Sequence, residues 1–202
     1  MKTVLEVEDL CFEAPGGRKL VHGLSFSISH GQMVAITGPN GIGKSTLLRV
    51  ILGHQEPTLG SAKLKTHSVS FLSQLHNREF HIPLTLSDVL SISVKQFNTQ
   101  AAAEIGLLSS EQLHLGWNTA SGGERQKTLL TQSLLSQSEL LILDEPTNHL
   151  DTKTRATLRQ LFEKHLANGD RSILLVCHEK SLREDWPLAQ TLDLSSFKAI
   201  SC

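Results

Sequence analysis

Two kinds of apolar pattern run along the chain. Residues 3–12 alternate apolar positions with acids, and residues 24–28 set Leu24, Phe26 and Ile28 against serines. Both read as half-buried antiparallel strands, joined by the turn Ala14-Pro15-Gly16-Gly17. Met33–Thr37 and residues 140–143 and 172–177 are instead apolar on both faces, the pattern of parallel strands covered by helices. An α/β core with an antiparallel β flap is expected.

Helix starts carry caps. Residues 45–52 form a helix closed by Gly53, and Thr85 with Asp88 makes a capping box that opens a helix through about Phe97. Residues 99–105 end at Gly106. Ser121 with Glu124 is a second capping box, followed by Leu129, Leu130, Leu134 and Leu135 at helical spacing. Leu158, Leu161, Phe162, His165 and Leu166 line one face of a later helix that stops at Asn168-Gly169. Between about residues 75 and 119 the pattern predicts helices and no strand, so this stretch reads as a helical insertion.

Composition narrows the picture. A chain of 202 residues, 39% hydrophobic and 19% charged, fits one domain whose core stands without disulfides or a structural metal. A net charge of -1 argues against a large basic surface, so no nucleic-acid partner is expected. Cys11, Cys177 and Cys202 form no close-spaced metal pair and leave an odd number for bridging, which points to a reduced, cytosolic setting. The apolar stretches are strand-sized, far short of the ~20 residues of a membrane-spanning helix. Glu6 interrupts the N-terminus where an export signal would be apolar, so none is expected.

Chemistry enters with Gly38-Pro39-Asn40-Gly41-Ile42-Gly43-Lys44-Ser45-Thr46, a match to G-x-x-x-x-G-K-[ST] set between an apolar strand and a helix. Its glycines let backbone N–H groups approach phosphates, and the helix N-terminus adds partial positive charge. Lys44 reaches the β/γ oxygens, and the Ser45 hydroxyl ligates Mg²⁺. Asp144 and Glu145 emerge from an apolar strand at the sheet edge, where open α/β folds bind ligands. Asp144 suits Mg²⁺, held through its water shell, and Glu145 suits a general base acting on the attacking water.

With these come Gln74 at the end of Val69–Leu72, then Ser121-Gly122-Gly123-Glu124, then Asp144-Glu145-Pro146-Thr147-Asn148-His149-Leu150-Asp151, then His178. In this order the sequence strongly resembles the nucleotide-binding domain of ATP-binding cassette (ABC) proteins, a P-loop NTPase fold, over nearly the whole chain. The resemblance implies one such domain over residues 1–202, with residues of about 75–119 and the helix from 121 as a helical subdomain. It implies ATP and Mg²⁺ as cofactors and a Mg-dependent ATPase. Ser121, Gly122 and Gly123 would act on the γ-phosphate bound by a second nucleotide-binding domain, giving a head-to-tail dimer, most simply a homodimer. His178 would contact the γ-phosphate and help position Glu145, and Gln74 would touch Mg²⁺ and the water. Asp151 resembles an acid that crosses the dimer interface, and equally fits the cap of the helix beginning near Thr152.

The chain departs from the family where an aromatic ring usually stacks on adenine: alignment puts Ala14 there and Phe12 on the buried face. Weak, poorly discriminating ATP binding is expected, unless a register shift brings Phe12 to the site. The work that hydrolysis drives is open between two readings. One is the energy-coupling subunit of an ABC transporter, cytoplasmic and held at the inner face of a membrane by a separate integral membrane subunit, with metal cations suggested by a faint likeness around residues 80–90. The other is a soluble ABC ATPase of translation, repair or cofactor assembly, since Ser-Gly-Gly-Glu and Asp-Glu-Pro-Thr-Asn-His-Leu-Asp both occur in translation-associated members.

Overall fold

The computed structural model describes residues 2–73, 80–94, 97–178, 182 and 184–198. Along them run β1 (Thr3–Glu13), β2 (Lys19–Ser29), β3 (Met33–Thr37), α1 (Lys44–Ile51), β4 (Leu59–Leu64) and β5 (Val69–Leu72). Then come α2 (Leu86–Ser93), α3 (Thr99–Glu104), a short 3-10 turn at Gln112–His114, and α4 (Gly122–Leu135). The chain continues with β6 (Leu140–Asp144), α5 (Thr152–Asn168), β7 (Ser172–Val176), β8 (Gln190–Asp193) and a 3-10 turn at Leu194–Phe197.

The strands that are apolar on both faces form the centre of a five-stranded parallel sheet in the order β5-β6-β7-β3-β8. Their period of two divides the core. Val34, Ile36, Leu140, Ile142, Leu174 and Val176 face one apolar cluster together with α1 and the flap, while Met33, Ala35, Leu141, Leu143, Ile173 and Leu175 face the other, with α4 and α5. The flap is a three-stranded antiparallel sheet, β2-β1-β4.

Two strands were not foreseen, β4 and β8, and both are edge strands built largely of half-buried and exposed residues. α2 stops at Ser93 rather than near Phe97, because Val94 is already extended at φ -102°, ψ 108°. The Ser91, Ser93 and Val94 run explains the early stop, since serine and β-branched residues hold a helix weakly. A third apolar cluster joins Leu86, Val89 and Leu90 of α2 to Ala102, Leu108, Leu113, Trp117 and Ala120, with Leu129 and Leu135 of α4 packed against it.

Candidate functional site

Strand order assembles the site. β6, β7 and β3 are neighbours in the sheet, so the loop after β3, the acids ending β6 and His178 just past β7 emerge side by side at one edge. The loop, Glu145 and His178 line a cleft of about 470 Å³, whose walls include Asn40, Lys44, Ser45 and Thr46 together with Ala14, Arg18 and Leu20 of the flap hairpin, while Asp144 lies buried beside it.

The phosphate loop is seated on the flap. A Cβ on Gly43 would lie 3.0 Å from the Phe12 ring and 3.1 Å from Leu20 Cδ1, and Gly43 has φ 117°, so only glycine fits this close approach. Phe12 is fully buried beneath the loop and Ala14 lies at the cleft, the register that the alternation along β1 predicts. Gly43 caps α1 without a side-chain hydrogen bond, so the first turn of that helix keeps N–H groups for an anion. Lys44 is only 7% exposed, and its Nζ donates to the carbonyls of Gly38 (2.7 Å) and Pro39 (3.2 Å). One ammonium proton remains beyond those two bonds.

Asp144 is buried, and burial pushes its carboxyl above the ordinary carboxylate range, opposed by the Ser45 hydrogen bond and raised further by neighbouring Glu145. Ser45 Oγ donates to Asp144 Oδ2 at 3.2 Å, while Oδ1 is buried with no hydrogen-bond partner. A buried carboxylate with one satisfied oxygen is poorly compensated by a single hydroxyl. The pair Ser45 and Asp144 therefore fits a hard cation such as Mg²⁺.

Glu145 takes a left-handed backbone, φ 50°, and its N–H donates to the Val176 carbonyl at 3.0 Å. Its Oε1 lies 3.4 Å from His178 Nε2, and its Oε2 accepts from the Asn148 amide. Behind them, burial and nearby Asp185 push the Cys177 thiol up to about 12, so it stays protonated and packs as an apolar group.

Ser121, Gly122 and Gly123 are not in this cleft. They begin α4, where the Ser121 hydroxyl accepts from Glu124 N–H at 3.3 Å and the Ser121 N–H donates to Glu124 Oε2 at 2.9 Å, completing the predicted capping box. Ser121 and Gly122 are exposed. α4 is bound to the loop after β6: buried Gln126 donates to the Pro146 carbonyl at 2.9 Å, and Lys127 pairs with Asp151 at 3.0 Å. A Cβ on Gly123 would meet the His149 carbonyl at 2.9 Å. Asp151 caps α5 through Thr154. Gln74 lies outside the described residues.

Sequence reasoning passed over Arg18, Leu20 and Asn148. Arg18 donates to the Gly41 carbonyl at 3.2 Å across the cleft. Its place just before β2, in the turn that Ala14 N–H closes by donating to the Arg18 carbonyl at 2.8 Å, is the signal that was available. Asn148 lies within the Asp144–Asp151 run, but its contact with Glu145 depends on a local turn that no pattern announces.

The fold and this cleft define a P-loop ATPase domain. The family model for ABC transporters matches residues 21–148, and the chain belongs to that family. It is 32% identical over 184 residues to the zinc import ATP-binding protein ZnuC of Vibrio parahaemolyticus, covering 90% of this chain and 70% of that one. It is 35% identical over 193 residues to the ribosome protection protein VmlR of Bacillus subtilis, covering 91% of this chain and 33% of VmlR. Among solved structures, an inward-facing metal-chelate type ABC transporter aligns with a TM-score of 0.77 and 25% identity over 96% of this chain and 80% of its own. Among the described residues no helix is long and apolar enough to cross a membrane.

Proposed function

We propose that the chain is the ATP-hydrolysing subunit of an ABC transporter, working as a head-to-tail dimer beneath a separate integral membrane subunit, with a metal cation as cargo. The convergence of Lys44 and Ser45, Asp144 and Glu145, and His178 at one sheet edge carries this reading. In it, the loop N–H groups and Lys44 hold the β- and γ-phosphates, and Ser45 and Asp144 hold Mg²⁺. The ion supplies charge neutralisation at the phosphate oxygens when bound. Glu145 takes the proton of the attacking water, and His178 steadies Glu145 and the γ-phosphate. Ser121, Gly122 and Gly123 offer their helix N-terminus to the nucleotide on the second subunit. Gln74 senses Mg²⁺ and the water and relays this to the helical subdomain, made of the stretch from about 75 to 119 and α4. The apolar cluster shared by α2, residues 102–120 and α4 supports that division. The chain sits at the inner face of a membrane through its partner.

Similarity to ZnuC and to a metal-chelate transporter supports the metal cargo. A second reading, a non-transport ABC ATPase acting on the ribosome, draws on the 35% identity to VmlR and on the Asp144–Asp151 run. Purification from detergent extract separates the two: a polytopic membrane protein co-purifies in the first, and ribosomes in the second.

Substituting Glu145→Gln tests the catalytic core. Turnover is expected to fall about a hundredfold or more, the contribution of a positioned general base, while an ATP-bound dimer accumulates. Turnover equal to wild type would refute Glu145 as the base.

A further inference from the structure

The two oxygens of the Glu145 carboxylate meet groups from different elements. His178 reaches Oε1 from the end of β7, at 3.4 Å, and the Asn148 side-chain amide donates to Oε2 at 2.5 Å from the turn after β6. The turn itself is closed by the backbone, Asn148 N–H donating to the Glu145 carbonyl at 3.2 Å. The Asn148 side chain is therefore not spent on making the turn, and it is committed to the carboxylate instead.

We propose that Asn148 is a positioning residue for ATP hydrolysis, holding the Glu145 carboxylate in the orientation from which it takes the proton of the attacking water. The inference rests on Glu145 being the base. The left-handed backbone at Glu145 and its N–H bond to Val176 fix the direction of the Cα–Cβ bond, but three side-chain torsions stay free. A second tether on the carboxylate removes that freedom, and a base held in a near-attack position reacts faster than one that must find it. The residue type suits the task. An amide donates a directed hydrogen bond without bringing a charge, whereas a Lys or Arg partner would favour the ionised carboxylate and oppose its protonation. An Asp here would set two carboxylates in contact and drive them apart.

The experiment compares steady-state ATPase and melting midpoints of the full chain as wild type, Asn148→Ala and Asn148→Asp. Glu145→Gln with and without Asn148→Ala is followed by single turnover over hours. Loss of a hydrogen bond to a charged group predicts that Asn148→Ala lowers kcat about ten- to a hundredfold, with the KM for ATP within about twofold. Asn148→Asp, close to isosteric, lowers kcat at least as far, and serves should the Ala variant fold poorly. In the Glu145→Gln background Asn148→Ala brings no further loss, because two groups acting as one unit are not additive. Wild-type kcat in Asn148→Ala or Asn148→Asp, a loss seen only as raised KM, or an equal loss in the Gln background would each overturn the proposal while leaving Glu145 as the base. Undiminished turnover in Glu145→Gln alone would instead remove the base assignment and this inference with it.

Discussion

The cleft at the ends of β3, β6 and β7 and the N-terminus of α4 both present helix N–H groups suited to an anion, but they handle those groups in opposite ways. At the cleft, Gly43 gives α1 a cap with no side chain, and the functional groups Lys44 and Asp144 are buried, 7% and 6% exposed. At α4 the cap is closed internally: Glu124 Oε2 accepts from both the Ser121 N–H (2.9 Å) and the Ser121 hydroxyl (2.7 Å). The Ser121 hydroxyl and N–H hold the Glu124 carboxyl below the ordinary carboxylate range, so it is ionised at neutral pH. One region is preorganised for phosphate within a single chain. The other is an exposed, self-satisfied helix start whose remaining donors are the N–H groups of Gly122 and Gly123. In the head-to-tail dimer proposed above, the second subunit would carry phosphate to it.

That contrast breaks most readily at Lys44. Lys44→Ala removes a charged hydrogen bond of about 1.5–3 kcal/mol, so ATP affinity of the monomer is expected to fall roughly ten- to a hundredfold. Ser121→Ala should leave monomer affinity within about twofold and lower only the turnover of the dimer. Calorimetric titration of dilute protein with ATP reads both. Equal weakening by the two substitutions would mean that one chain already brings both regions to the same nucleotide.

The cleft has its own gradient, from the buried phosphate end to the flap end, where Ala14 and Arg18 line the opening. Ala14→Tyr adds a ring where a base would stack. Stacking is worth about 1–3 kcal/mol per base and is tolerant of base identity, so affinity should rise about tenfold for ATP and for GTP alike. Fluorescence titrations with the two nucleotides measure it. Unchanged affinity would show that Arg18 or Leu20 already occupies the base.

What the sequence made legible follows the same division between buried and exposed. β3, β6 and β7 are apolar on both faces, so they announced themselves, and the chemistry at their ends came with them. β4 and β8 did not, because an edge strand has one neighbour and a solvated side; Leu59, Gly60 and Ser61 of β4 carry no alternation to read. Capping boxes were legible to the residue, since a cap is local chemistry. The Asn148–Glu145 contact was not, because Glu145 sits in a left-handed backbone with its N–H bonded to Val176 of β7, a neighbour far along the chain. Nor was the docking of α4 on the loop after β6, a contact between segments some twenty residues apart.

The finest test concerns that docking, which ties the exposed helix start to the buried cleft within one chain. Asp151 accepts from Thr154 N–H at 2.8 Å through Oδ1, and from the Thr154 hydroxyl (2.8 Å) and Lys127 (3.0 Å) through Oδ2. These bonds, the Thr154 N–H foremost and Lys127 next, hold its carboxyl well below the ordinary 3.8. A depressed value in the folded protein means that the unfolded chain binds the proton more readily. The contribution is therefore whole above pH 3.8 and is lost as pH falls through the folded-state value. Asp151→Asn keeps a capping oxygen and loses the charge, so it should cost less than about 1 kcal/mol near neutral pH, as suits an exposed pair. Urea unfolding of both proteins between about pH 6 and pH 2 reads the difference, which should narrow steadily as pH falls below 3.8. A gap that stays constant across that range would assign the effect to the shape of the cap and would leave the Gln126 bond and the close approach of Gly123 as the contacts that tie α4 to the loop.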